Sequence, residues 1–121
     1  MNSLKRFNEL VIDLTRDIQH FLNDSDFRFY KQTAKAVTMI NRSIMYNVFK
    51  QHAHKHVTKI MSRDDSLFSE KEFVYLMTDE FYTKFVKKCV TTWCNLNDKQ
   101  KNIVWLYLQI LILLHEQIQT I

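Results

Sequence analysis

The stretch Asn97–Ile118, NDKQKNIVWLYLQILILLHEQI, decides the fold. It predicts a single helix. Asn97 is a capping residue, and Gln100, three positions on, is its capping-box partner. At about 100° per residue, Ile103, Tyr107, Ile110, Leu111, Leu114 and Ile118 gather on one broad apolar face. Trp105, Leu108 and Ile112 form a second. Only Asn102, Gln109 and Glu116 leave a polar seam. A helix apolar almost all round is either the centre of a core or is shared with a partner.

The composition agrees with a helical reading. The chain has 121 residues with Gly 0 and Pro 0. Tight hairpins lean on Gly or Asn at positive φ, whereas helix interiors do without Gly and Pro. An all-α fold is therefore expected before any periodicity is counted. The absence of Gly also excludes GxxxxGK[ST] phosphate loops, GxGxxG dinucleotide turns and GxSxG nucleophile elbows. No cofactor is expected. Cys89 and Cys94 make no disulfide framework and fit a reducing compartment. Met1–Arg6 is not followed by the apolar run of a signal peptide, so the expected protein is not secreted. Apolar runs fall short of the ~20 residues of a spanning helix, so no transmembrane segment is expected.

Upstream, Asn95-Leu96-Asn97 is too short a connection for anything but antiparallel neighbours. The preceding helix opens near Glu70 on a second capping box, Ser69 with Glu72. Phe73, Leu76, Met77, Phe81, Phe85, Cys89 and Trp93 supply its buried side. At the other end of the chain, Ser3 caps a helix to about Leu22. Its seam, Leu4, Phe7, Val11, Leu14, Ile18 and Phe21, steps by three and four. Asn23-Asp24-Ser25-Asp26 breaks it, and a second helix starts near Asp26 or Phe27. Tyr30, Ala34, Val37, Ile40, Ile44 and Val48 share one face, with Met39 and Tyr46 on the charged side. Past Lys50 the phase slips, because Lys55 and Lys59 fall where the apolar face would continue. A bend, a helix end or a new helix is expected within Gln51–His56. Ser62–Ser66 is the next break. The expectation is one domain, 1–121: a compact bundle of four or five helices around a central, largely apolar C-terminal helix.

Charge is the most specific functional signal. The formal net charge is +4, and between Asp26 and Asp64 there is no acidic residue. Arg28, Lys31, Lys35, Arg42 and Lys50 are expected as an exposed basic stripe that contacts an anionic partner, whether nucleic acid, an acidic protein surface or headgroups. Other constellations carry less. His52 and His56 are spaced to share a metal ion, but no third ligand is apparent and His54 points away, so no metal site is expected. Asp64-Asp65 and Asp79-Glu80 read as caps or surface, and Cys89 as a buried, inert thiol. The second apolar face of the last helix, Trp105, Leu108 and Ile112, is expected to mediate self-association. Either that helix is threaded between its neighbours in a complete monomer, or two copies pack these faces about a two-fold axis. The shortness of the chain favours the homodimer.

Several segments together carry a resemblance: LKRFNELVIDLTRDIQHFL at the start, FYKQTAKAVTMINRSIMYNVFKQH in the middle, then SRDDSLFSEKEF, and TTWCNLNDKQKNIVWLYLQILILL at the close. Over nearly the full chain, the layout resembles a family of short, uncharacterised, all-helical proteins of large nucleocytoplasmic DNA viruses. It departs at the first turn, where members usually carry Pro and this chain reads Asn23-Asp24-Ser25. The shared motifs are core and cap patterns, so the resemblance implies a viral setting and no active site. The expected function is a non-enzymatic interaction or structural protein, in a virion component or as a host-factor adaptor, in the host cell cytoplasm or virion. The alternative is a nucleic-acid-binding module using the basic second helix.

Overall fold

The computed structural model describes residues 3–68, 88 and 90–119, without the side chains of 52–54 and 119. The fold is all-α, and no strand occurs among the described residues. Helix α1 spans Ser3–Leu22, α2 Ser25–Ile40 and α3 Ile44–Ser62. A 3-10 turn comes next at Asp65–Phe68, residues 90–95 are helical, and α4 spans Asp98–Gln119. The Ser69/Glu72 capping box, the start of a helix at Glu70 and its residues from Phe73 to Phe85, with Cys89, lie outside the described residues.

Local chemistry sets the boundaries. Asn97 and Gln100 form the reciprocal box: each side-chain oxygen accepts from the other's backbone N–H, at 2.8 and 2.9 Å. Asp24 caps α2 by accepting from the Asp26 amide at 2.9 Å. In a chain without glycine, two other residues take the left-handed backbone that closes a helix: Asn23 (φ 50) and Arg63 (φ 55). At both ends the next amide reaches back five residues, Asp24 to the Gln19 carbonyl at 3.3 Å and Asp64 to Lys59 at 2.9 Å. This is the Schellman closure, normally the work of Gly.

The break between α2 and α3 differs from the sequence reading. The helix stops at Ile40, and α3 runs without interruption through Gln51–His56. Asn41 turns extended, its side chain accepts from the Ser43 amide at 2.9 Å, and its own amide donates to Val37. Such side-chain bonds compete with the helical ladder. From α1, the Asn8 side-chain amide donates to the Arg42 carbonyl at 2.9 Å and holds the corner. The restart gives α3 its own phase. Tyr46 and Val57, and likewise Phe49 and Ile60, are eleven residues apart, about three turns, and all four enter the core. Tyr46, expected on the charged side, is buried, whereas Ile40, Ile44 and Val48, expected inward, are exposed.

Helix α4 is central. It gives Val104, Trp105 and Ile112 to one core cluster and Leu111 and Leu114 to the other, with Leu108 packed against both. In the first cluster Phe68 stacks on Trp93, ring centroids 4.1 Å apart, and Trp105 meets Trp93 edge-on at 5.1 Å. In the second, Phe7 packs edge-on against Tyr46 and Phe49. Tyr107 ties α4 to α1 by donating to Asp17 Oδ2 at 2.5 Å.

One expected docking face is thereby corrected. Trp105 is 4% and Ile112 1% exposed, both inside a single chain, and Leu108 is half-buried. The 3-10 turn, Ile60, Trp93 and Leu96 cover them, so this trio has little area left for a second copy. Ile110, expected inward, is exposed. The apolar surface that α4 leaves in solvent is Leu106, Ile110 and Leu113, at i, i+4 and i+7.

Candidate functional site

The basic residues divide among three elements. Arg28, Lys31 and Lys35 stand on α2 at i, i+3 and i+7, one side of the helix over about 10 Å. Arg42 sits in the α2–α3 corner, and Lys50 is on α3. Arg28, Lys35, Arg42 and Lys50 are exposed and Lys31 is half-buried. The expected single stripe is thus a trio on one helix, plus a corner arginine and a lysine on the next.

Burial fixes the orientation of α2. Phe27 and Ala34 are buried, Tyr30 and Val37 half-buried. The opposite side is not polar in compensation. Phe29, Ala36 and Ile40, at i, i+7 and i+11, form a line in solvent, and Met39 lies beside it. Phe29 is 58% exposed, Met39 88% and Ile40 81%. By helical projection, Arg28 and Lys35 fall in a strip with Met39 about a quarter turn from this line, and Lys31 lies on the far side of the helix. Periodicity alone does not reveal the line, because it places Ile40 on the inner face. Asn41 and Ser43, two cap formers separated by one residue, are the signal that ends the helix at Ile40.

Six of the described carboxylates have other partners. Asp13 and Asp17 pair with Arg16, and Glu9 with Arg6. Lys88 bridges Asp24 at 2.6 Å and Asp26 at 3.2 Å. The Lys88 hydrogen bond holds the Asp24 carboxyl below its usual value, and the same bond raises Lys88. The Ser66 amide, donating to Asp64 at 3.0 Å, lowers Asp64. Burial, then the Asp17 carboxylate, pushes the Tyr107 hydroxyl up to about 12. No described carboxylate forms an ion pair with Arg28, Lys35, Arg42 or Lys50.

A cleft of about 370 Å³ lies where α1 meets the corner, lined by Lys5, Asn8, Glu9, Thr38, Met39 and Arg42. It joins the end of the α2 outer face to Arg42 and Lys5. Asn8 is 3% exposed, and its Oδ1 has no partner among the described residues.

The side chains of His52 and His54 lie outside the described residues, and among those described no three His, Cys, Asp or Glu converge as metal ligands. Cys94 is a free, exposed thiol. Among the described residues, no helix is long and apolar enough to cross a membrane. No family model, curated protein or solved structure matches the chain.

Proposed function

We propose that this chain is a non-enzymatic docking protein of a large DNA virus, in a virion component or as a host-factor adaptor, and that its working surface is the outer side of α2 with the Arg42 corner. The observation that carries the reading is the set of exposed cations, Arg28, Lys35, Arg42 and Lys50, none of them in an ion pair with a described carboxylate. Such a surface attracts an anionic partner without breaking an ion pair to any described carboxylate. Glu9, Asp13, Asp17, Asp24, Asp26 and Asp64 are engaged in ion pairs or turn-capping bonds, which supports the non-enzymatic part. The host cell cytoplasm or the virion is the proposed setting. Self-association belongs to the same proposal, with Leu106, Ile110 and Leu113 as the part of α4 that leaves apolar area for it.

Nucleic-acid binding is the second reading, favoured by the three cations along one side of α2. Titration with labelled duplex DNA, polyglutamate and anionic vesicles, each at two salt concentrations, separates the two. If DNA is the partner, the log–log salt slope is about −0.9 per phosphate contact. Lys35→Glu with Arg42→Glu should then remove contacts and flatten the slope. If none of the three anionic probes binds, or binding ignores both substitutions, the surface is not a docking site.

A further inference from the structure

We infer that the anionic partner of the α2 outer face is a lipid bilayer surface, with Phe29, Met39 and Ile40 entering the interface and the cations of the same helix meeting the headgroups. This inference rests on the anionic-partner reading above and adds what the charges alone do not specify. The three large apolar side chains are 58%, 88% and 81% exposed on a helix whose other side is already committed to the core. A phosphate backbone or an extended acidic peptide would use the cations and leave these side chains in water. A bilayer uses both: apolar residues settle at the headgroup–acyl boundary while Lys and Arg snorkel to the phosphates.

The geometry suits that mode. Phe29, Ala36 and Ile40 share a line parallel to the helix axis, and Met39 with Arg28 and Lys35 forms a second exposed strip about a quarter turn away. A helix lying flat presents such a line to a plane along its whole length. Met39 and Ile40 close the helix at a corner, where Arg42 and Lys5 stand beside Met39 around the cleft, with Glu9 on the same rim paired to Arg6 at 3.5 Å. From Phe27 to Arg63 the chain itself carries no carboxylate. The one acid on α2, Asp26, is bridged by Lys88 at the far end. Each cation near an anionic leaflet contributes about a fivefold factor in partitioning, so charge and apolar contact act together.

The test is co-sedimentation with vesicles of phosphatidylcholine alone and of phosphatidylcholine with phosphatidylserine. Wild type, a Phe29→Ser/Met39→Ser/Ile40→Ser variant and Lys35→Glu are compared, with circular dichroism confirming retained helix. The replaced apolar residues are exposed, so their loss removes no core. Binding is expected on the anionic vesicles only. The apolar triple variant should lose tenfold or more in partitioning, and Lys35→Glu roughly 25-fold, two charge units at that factor. If the triple variant binds like wild type while Lys35→Glu is lost, insertion is refuted and the anionic-partner reading stands. Preference for duplex DNA or polyglutamate over anionic vesicles refutes the bilayer and identifies another anionic partner. Equal competition by soluble glycerophosphoserine would mean a headgroup pocket and also overturn the inference. Binding to none of these probes overturns both readings.

Discussion

Replacing the same residue type at two depths gives a sharp test of how the helices are turned. Ile112 is 1% exposed at the centre of α4, and Ile40 is 81% exposed at the end of α2. The Ile112 side chain sits in a cluster supplied by every described helix, with Ile18, Phe27, Ile60 and Trp93 among its members. Truncation to Ala loses the transfer free energy of the removed carbons and leaves a cavity. Large-to-small changes of this kind cost about 2–5 kcal/mol. Rigid indole and phenyl walls collapse poorly, which places Ile112→Ala near 4 kcal/mol, within the ~2–5 kcal/mol range for such changes. Ile112→Val should cost only about 1 kcal/mol. Ile40→Ala removes a side chain already in water and should stay within about 0.5 kcal/mol. Urea denaturation followed by circular dichroism reads all three, and an unchanged m-value confirms that the midpoint shifts report stability. Equal costs for Ile112→Ala and Ile40→Ala would refute the orientation of both helices.

Tyr107→Phe removes the bond to Asp17, which water still reaches and Arg16 still pairs, so a loss of about 1–1.5 kcal/mol is expected at pH 7 by urea titration. Because the folded Tyr107 pKa lies at about 12, above the ordinary 10.0, this contribution is whole below pH 10 and disappears as pH rises through 12. The gap between wild type and Tyr107→Phe should close over that window. Asp24→Ala deletes the α2 cap and the Lys88 bridge and should cost about 1–2 kcal/mol. The Asp24 carboxyl is held below its ordinary value of 3.8, so its contribution is present above that pH and is lost on acidification below it. An unchanged difference between wild type and Asp24→Ala from pH 7 to pH 2 would contradict this. Asn23→Ala puts a Cβ-bearing residue without a local polar side chain at φ 50, with an expected loss of about 1 kcal/mol in thermal unfolding.

The ends of the chain were the legible part. The seam of α1 runs through six apolar residues in strict three-four steps, and Asn97 with Gln100 names the start of α4 from its cap chemistry alone. The middle was not legible by periodicity. Ile40, Ile44 and Val48 continue the phase of Tyr30, Ala34 and Val37, so the pattern favours one long helix. The break comes from two short polar side chains, Asn41 and Ser43, and from Asn8 reaching across from α1. Once α3 restarts at Ile44, Lys55 falls outward and the phase slip that suggested a bend disappears. The second face of α4 posed a different difficulty. An all-round apolar helix does not reveal whether its cover comes from its own chain. Here Phe68, Trp93 and Leu96, remote in the pattern, provide it. Of the candidate site, the cations were readable from charge spacing, but the exposure of Phe29, Met39 and Ile40 was not, since it depends on which side of α2 the other helices cover.

The most direct test of the α2 outer face as the working surface is Met39→Trp fluorescence on anionic vesicles carrying brominated lipid. Met39 is 88% exposed, while the native Trp93 and Trp105 are 6% and 4% exposed and shielded from the lipid. A blue shift and strong quenching of the introduced tryptophan are expected on binding, with the wild-type signal little changed. Protein that sediments with the vesicles while the Met39→Trp emission stays red and unquenched would contradict it.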